Sequence, residues 1–118
     1  MAVRNFRDLE VWNRGKAIVT EIYRATSVFP RTEMFGLTSQ IRRAAISVPA
    51  NIAEGFNRYH TRDYRRFLFI ALGSCGELET ETEISCELGY LDQDRTEHLI
   101  KQIVREAKML RGLIGKLS

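Results

Sequence analysis

The sequence predicts an all-α protein, an antiparallel up-down-up-down four-helix bundle with a kinked second helix. Apolar residues recur at three- and four-residue steps in four long segments, the spacing of one helix face. Short connections separate these segments, and short connections make consecutive helices antiparallel. Strand-like alternation competes nowhere. At 118 residues the chain forms one domain, 1–118, large enough to bury roughly two-thirds of the surface its unfolded form exposes.

Helix one is expected from Asp8 or Leu9 to about Ser27, with Asp8 as its cap and Leu9, Trp12, Val19, Ile22 and Tyr23 on or near its buried stripe. Phe29-Pro30 ends it. Thr32 to Gly36 forms either a short turn or the opening turn of helix two, which runs on to about Arg58. Leu37, Ile41, Ala44, Ala45, Val48, Ile52 and Phe56 mark the apolar face of helix two, yet Pro49 stands in its middle. A proline there cannot donate to the Ala45 carbonyl, costs roughly 3 kcal/mol relative to Ala, and is expected to kink the helix. Asn51 and Glu54 follow as polar groups placed to satisfy freed backbone or to form a partner site. Thr61 has the position of an N-cap for helix three, whose apolar face carries Tyr64, Phe67, Leu68, Ala71, Cys75, Leu78 and Leu88. Gly89 stands where a helix C′ residue is favoured. Asp92 or Asp94 caps helix four, with Leu99, Ile103, Ala107, Leu110, Ile114 and Leu117 as its stripe. Gly73 and Gly76, one turn apart in helix three, are read as packing positions, and Ser74 between them as a small packed hydroxyl.

Catalytic chemistry has no positive signal. His60 and His98 lie outside any metal-ligand spacing, and neither a phosphate-cradling glycine loop nor a nucleophile elbow occurs. Glu77, Glu79, Glu81, Glu83 and Glu87 alternate along one helix, so neighbours in the run point about 200° apart and form no cation cage. They read as a solvated or intersubunit face. The expectation is therefore a non-enzyme with no catalytic residue, cofactor or metal. Cys75 and Cys86 are three turns apart on one helix, roughly 16 Å of rise, which forbids an internal disulfide. Free core thiols, together with apolar runs too short to span a bilayer, suggest a cytoplasmic protein without membrane contact.

Phe6-Arg-Asp-Leu-Glu-Val-Trp12, Leu37-Thr-Ser-Gln-Ile-Arg-Arg43, Ser47-Val-Pro-Ala-Asn-Ile-Ala-Glu-Gly55 and Phe67-Leu-Phe-Ile-Ala-Leu-Gly-Ser74 occur in order along nearly the whole chain. This set resembles the four-helix-bundle proteins encoded in intervening sequences of bacterial 23S rRNA genes. The resemblance implies a homopentameric ring of antiparallel bundles. It also implies kinship with an accessory protein of diversity-generating retroelements that works with a reverse transcriptase and binds nucleic acid. Arg42, Arg43, Ser47, Pro49, Asn51, Glu54 and Gly55 lie in the shared motifs and are assigned structural or interface roles.

Net charge is only +3, so its distribution matters more than its total. The proposed topology gathers the start of helix one, the helix two–three turn and the end of helix four at one end. Eleven basic residues collect there against five acidic ones, leaving +6. Arg58, Arg62, Arg65, Arg66, Lys108 and Arg111 are the candidate nucleic-acid-binding residues among them. Arg62, Arg65 and Arg66 open helix three, against the preference of the helix dipole for acidic residues at its amino end. Two readings follow. Copies of the basic end grip RNA or DNA phosphates without reading bases, while Tyr59, His60 and Tyr64 stack on exposed bases. Alternatively, the basic residues pair with the acidic strip of a neighbouring protomer, and the protein is an interaction scaffold that touches no nucleic acid. Trp12, Ile46, Phe69 and Ile70 lie beside the main stripes and are candidates for self-association.

Overall fold

The computed structural model describes residues 3–117. Four helices dominate: α1 (Glu10–Thr26), α2 (Leu37–Phe56), α3 (Thr61–Glu87) and α4 (Gln93–Lys116), with 3-10 turns at Phe6–Asp8 and Arg31–Glu33. Cross-helix contacts give the topology. The end of α1 meets the start of α2, where Arg42 Nε donates to Thr26 Oγ1 at 2.8 Å, while the start of α1 meets the later part of α2 at Gly15 and Pro49. Ser47 pairs with Ser74 across α2 and α3, and Gly55 lies against Tyr64 and Phe67. Arg65 reaches Ile114 from α3 to α4, and Cys86 reaches Gln93. Glu21 and His98 join α1 to α4, as do Gly15 and Glu106. In each pair one index rises as the other falls, so neighbouring helices run antiparallel and α4 closes the ring against α1. The long dimension of 43 Å suits a bundle built on helices of 17 to 27 residues, at about 1.5 Å of rise per residue.

Ile22, Ile41, Ile52, Leu68, Leu78, Leu99, Ile103 and Leu110 are fully enclosed, each contributing roughly 1.5–3 kcal/mol relative to an exposed position. Three buried hydroxyls are satisfied locally: Thr26, Thr82 and Ser85 each donate to the carbonyl four residues earlier at 2.7–2.8 Å, whereas the Thr38 hydroxyl is buried without a partner.

Several sequence expectations need correction. In α1 the buried line is Val11, Gly15, Ile18, Ile22, Ala25 and Thr26; Ile22 lies on it and Leu9, Trp12 and Val19 pack partly buried beside it, as expected, but Tyr23 is exposed. The line mixes branched residues with the small Gly15 and Ala25. Asp8 does not cap α1; its carboxylate accepts from the Arg4 and Asn5 backbone and closes a capping box around the preceding 3-10 turn, leaving Leu9 at the N-cap of α1 without a side-chain bond. Thr61 is the first residue of α3 and not its cap. Phe56 ends α2, two residues before Arg58, and Leu88 faces solvent. Of the two readings of Thr32 to Gly36, the turn is the one that matches, and α2 opens at Leu37.

Two expectations at the helix ends match the structure. Asp92, not Asp94, caps α4, accepting from Arg95 N at 2.7 Å. Gly89 has φ of 81°, and the Tyr90 and Gly89 amides donate to the Ser85 and Cys86 carbonyls at 2.9 Å, the Schellman pattern that ends a helix. At the same end of the bundle, Glu33 Oε1 accepts from Leu37 N and Oε2 accepts from Tyr90 Oη, both at 3.0 Å. The hydrogen bond to Glu33 is the main reason the Tyr90 phenol is pushed up.

Candidate nucleic-acid interface

The shared-motif residues of α2 build its seams with α1 and α3. α2 runs unbroken through buried Pro49. The proline ring packs where α1 is thinnest, since a Cβ on Gly15 would stand 3.5 Å from Pro49 Cβ and Cδ. Asn51 Nδ2 donates to the Ser47 carbonyl at 2.8 Å and to Ser47 Oγ at 2.9 Å, not to the Ala45 carbonyl that Pro49 leaves free. Ser47 Oγ in turn meets Ser74 Oγ at 2.8 Å, so a polar chain links α2 to α3. Arg42 is an internal tie, bonded to Thr26 and stacked 4.4 Å over the Tyr23 ring. Arg43 is exposed and lines an open groove of about 580 Å³ with Phe35, Ser39, Gln40, Ser47 and Glu77.

Gly55 shapes the basic corner. A Cβ there would lie 2.8 Å from Phe67 Cβ and 3.0 Å from the Tyr64 carbonyl, so only glycine lets the end of α2 seat against the start of α3. The Asn57 and Arg58 amides close α2 onto Ala53 and Gly55 at 3.1 and 3.0 Å, and the chain turns into α3 within a few residues. Arg58 and Arg66 from opposite sides of that turn place their guanidinium carbons 4.8 and 4.6 Å from the Phe67 ring centroid. Arg58 also pairs with Glu54 at 3.2 Å, an exposed i,i+4 pair of small energetic weight. Arg65 Nε lies 3.4 Å from the Ile114 carbonyl, tying the corner to the end of α4. Exposed Arg62 sits with His60, Thr61 and Asp63 on a shallow surface hollow. Lys108 and Arg111 stand exposed one turn apart on α4 and, among the described residues, make no hydrogen bond or ion pair with the corner. Arg58, Arg62, Arg65 and Arg66 thus flank one short turn, Arg58 and Arg66 sharing the Phe67 ring, and Arg65 reaches the end of α4, the helix that carries Lys108 and Arg111.

Of the aromatics expected to stack on bases, Tyr64 is half-buried and meets Phe56 edge-on at 5.9 Å. Tyr59 is 95% exposed, with the His60 ring edge-on at 5.0 Å. Phe67, expected on the apolar face of helix three, is partly buried and serves as the platform for two arginines, a role the spacing Arg58, Arg66, Phe67 hints at only once the turn is known.

Two buried carboxylates escaped the sequence reading. Glu106 is 1% exposed and neither oxygen has a hydrogen-bond partner; Oε2 lies 3.0 Å from where a Gly15 Cβ would stand. Burial pushes its carboxyl from 4.5 up to about 8, with Arg14 pulling back and Glu10 adding to the rise. Glu81, expected on a solvated or intersubunit face, is buried within the bundle with Oε1 unpartnered, and burial followed by nearby Glu77 lifts it to about 7. Burial, then Glu106, carries the Cys75 thiol up to about 12, so this cysteine is a poor nucleophile. Among the described residues no group of three or more His, Cys, Asp or Glu could hold a metal ion, and no helix is long and apolar enough to cross a membrane.

A solved structure from Bacteroides thetaiotaomicron VPI-5482, a protein with unknown function from the S23 ribosomal protein family, is similar to this chain with a TM-score of 0.79 and 23% identity, covering 88% of this chain and 97% of its own. That likeness concerns the fold alone. No curated protein matches. The model of the 23S rRNA-intervening sequence protein family matches residues 7–112, and with that match spanning most of a four-helix chain, the protein belongs to this family.

Proposed function

We propose that this protein is a non-catalytic, self-associating four-helix bundle of the cytoplasm that holds nucleic acid by its phosphate backbone at the α2–α3 corner. The observation that carries the reading is the clustering of Arg58, Arg62, Arg65 and Arg66 around one short turn, with Arg58 and Arg66 held over Phe67. Arginines fixed in this way lose little side-chain freedom when they meet phosphate, and their fork geometry suits phosphate oxygens. Repetition of the corner around an oligomer, a homopentameric ring in the family resemblance, would multiply weak contacts by effective concentration.

Replacing Arg62, Arg65 and Arg66 together by Gln should weaken binding of RNA and DNA and flatten the dependence of log affinity on log salt by about 2, if each removed charge neutralises one phosphate of a single strand. Helicity should persist, because exposed Arg62 and Arg66 are unfavourably placed at the amino end of a helix and part-buried Arg65 gives up only one long hydrogen bond, 3.4 Å, to the Ile114 carbonyl. Fluorescence anisotropy titrations at several salt concentrations measure the slope. Wild-type protein that ignores nucleic acid at low salt removes this reading.

The scaffold reading rests on a separate observation. Phe69, Ile70 and Ile46 are 51%, 42% and 43% exposed, and a Cβ on Gly73 or Gly76 would meet nothing within 4 Å. No helix of the same chain approaches those glycines closely, so their expected packing role falls to another copy or to a partner protein such as a reverse transcriptase. Light scattering at micromolar concentration should show an oligomer, and Phe69→Glu with Ile70→Glu should yield a folded, smaller species. A wild-type monomer would end the assembly claim.

A further inference from the structure

We propose that Tyr59 is a stacking platform for unpaired bases, which makes the corner a site for single-stranded nucleic acid over duplex; this rests on the phosphate-binding reading above. The aromatics nearby are already engaged. The Phe67 ring carries Arg58 and Arg66, and Tyr64 and Phe56 meet edge-on, both partly buried. Tyr59 has a different setting. It is 95% exposed, and its one aromatic neighbour, His60, stands at 88° to it, an edge contact that leaves ring face open. An aromatic side chain that folding leaves almost wholly in water keeps its full stacking surface for a ligand.

Its place in the chain is fixed. The close seat of Gly55 against Phe67 and Tyr64 and the Arg58 amide bond to Gly55 hold the turn immediately before it, and α3 begins two residues after it. Arg58 and Arg62 flank it in sequence, and both are exposed. A strand whose phosphates lie on these arginines presents its bases beside the Tyr59 ring. Stacking there discriminates by strandedness and not by sequence, since every base has a π-face. In a duplex those faces are already stacked, and exposing one costs unpairing and unstacking.

The test compares wild type, Tyr59→Ala and Tyr59→Phe against unstructured oligo-rU and oligo-dT and against a duplex of equal length, all at one low salt concentration. Wild type should prefer the single strands. Tyr59→Ala should weaken single-strand binding by about tenfold while moving duplex affinity less than about twofold, and Tyr59→Phe should bind as wild type. A single strand carrying 2-aminopurine should be quenched by wild type and not by Tyr59→Ala. Binding that prefers duplex, or that Tyr59→Ala leaves unchanged or weakens equally for both forms, overturns the stacking assignment while leaving phosphate binding intact. Absence of any nucleic-acid binding overturns both. The substitution is at an exposed turn position, and circular dichroism of each variant checks that it folds.

Discussion

Glu106→Gln is expected to stabilise the protein at alkaline pH and to remove most of its pH-dependent loss of stability. The folded protein keeps a proton on Glu106 up to about 8, whereas the unfolded chain releases it near 4.5. Between those values the unfolded state binds fewer protons, so stability falls as pH rises through that window and is flat for this group on either side. Taken at face value, the shift from 4.5 to about 8 is about 5 kcal/mol of differential stability, a large part of the 5–15 kcal/mol typical of a domain. The groups facing Glu106 do not remove the cost: Arg14 of α1 offsets part of it while Glu10 adds to it, Cys75 of α3 is itself protonated, and Pro49 of α2 offers no donor. Glutamine mimics the protonated carboxyl in shape and cannot ionise. Urea unfolding followed by circular dichroism should give wild type a clearly lower midpoint at about pH 8.5 than at about pH 5.5, with the Gln variant nearly level. Glu81, held up to about 7, pushes in the same direction, so any slope left in Glu106→Gln should diminish further in the double variant. A wild-type midpoint that does not change across this range would contradict the protonated, buried state.

The second large effect is expected at Gly55. Alanine there would bring Cβ to 2.8 Å from Phe67 Cβ and 3.0 Å from a backbone oxygen, neither of which can yield as a flexible side-chain tip would. The helices must part, at about 1–3 kcal/mol for overpacking, against a helix-propensity gain of at most about 1 kcal/mol. Gly112 is the control. It is exposed in α4 with nothing within 4 Å of its Cβ position, so Gly112→Ala should stabilise by up to about 1 kcal/mol. Opposite signs in thermal unfolding confirm that the seat, and not helix propensity, governs Gly55; equal signs would fault the close approach. Parting the helices also displaces the Arg58 and Arg66 pair from Phe67, so affinity for nucleic acid should fall with stability.

The bundle was legible because four apolar stripes and short turns point to one answer. The side each helix buries was harder to read. In α1 the large residues Trp12, Val19 and Tyr23 carry the apolar signal, yet the seam needs the small Gly15, because the Glu106 carboxylate and the Pro49 ring would stand 3.0 and 3.5 Å from a Cβ there. Glu106 sits three residues after Ile103 and four before Leu110, a buried position by spacing alone. Its acidic side chain is what hides that position. Glu81, likewise between Leu78 and Ser85, was hidden inside a run of glutamates. Periodicity reports position and composition reports polarity; where they conflict, position was correct at both glutamates. At the corner, sequence located the arginines but not their support, because Phe67 meets Arg58 only across the turn.

Glu33 has a consequence for how the far end of the bundle opens. Its two carboxylate oxygens serve partners separated by more than fifty residues, the first amide of α2 and the Tyr90 phenol. Unwinding the first turn of α2 therefore strips Tyr90 of its acceptor, and loosening the α3–α4 connection frees the carboxylate that holds α2. Local fluctuations at these two connections are therefore expected to be correlated, and their amides should lose protection together in hydrogen exchange.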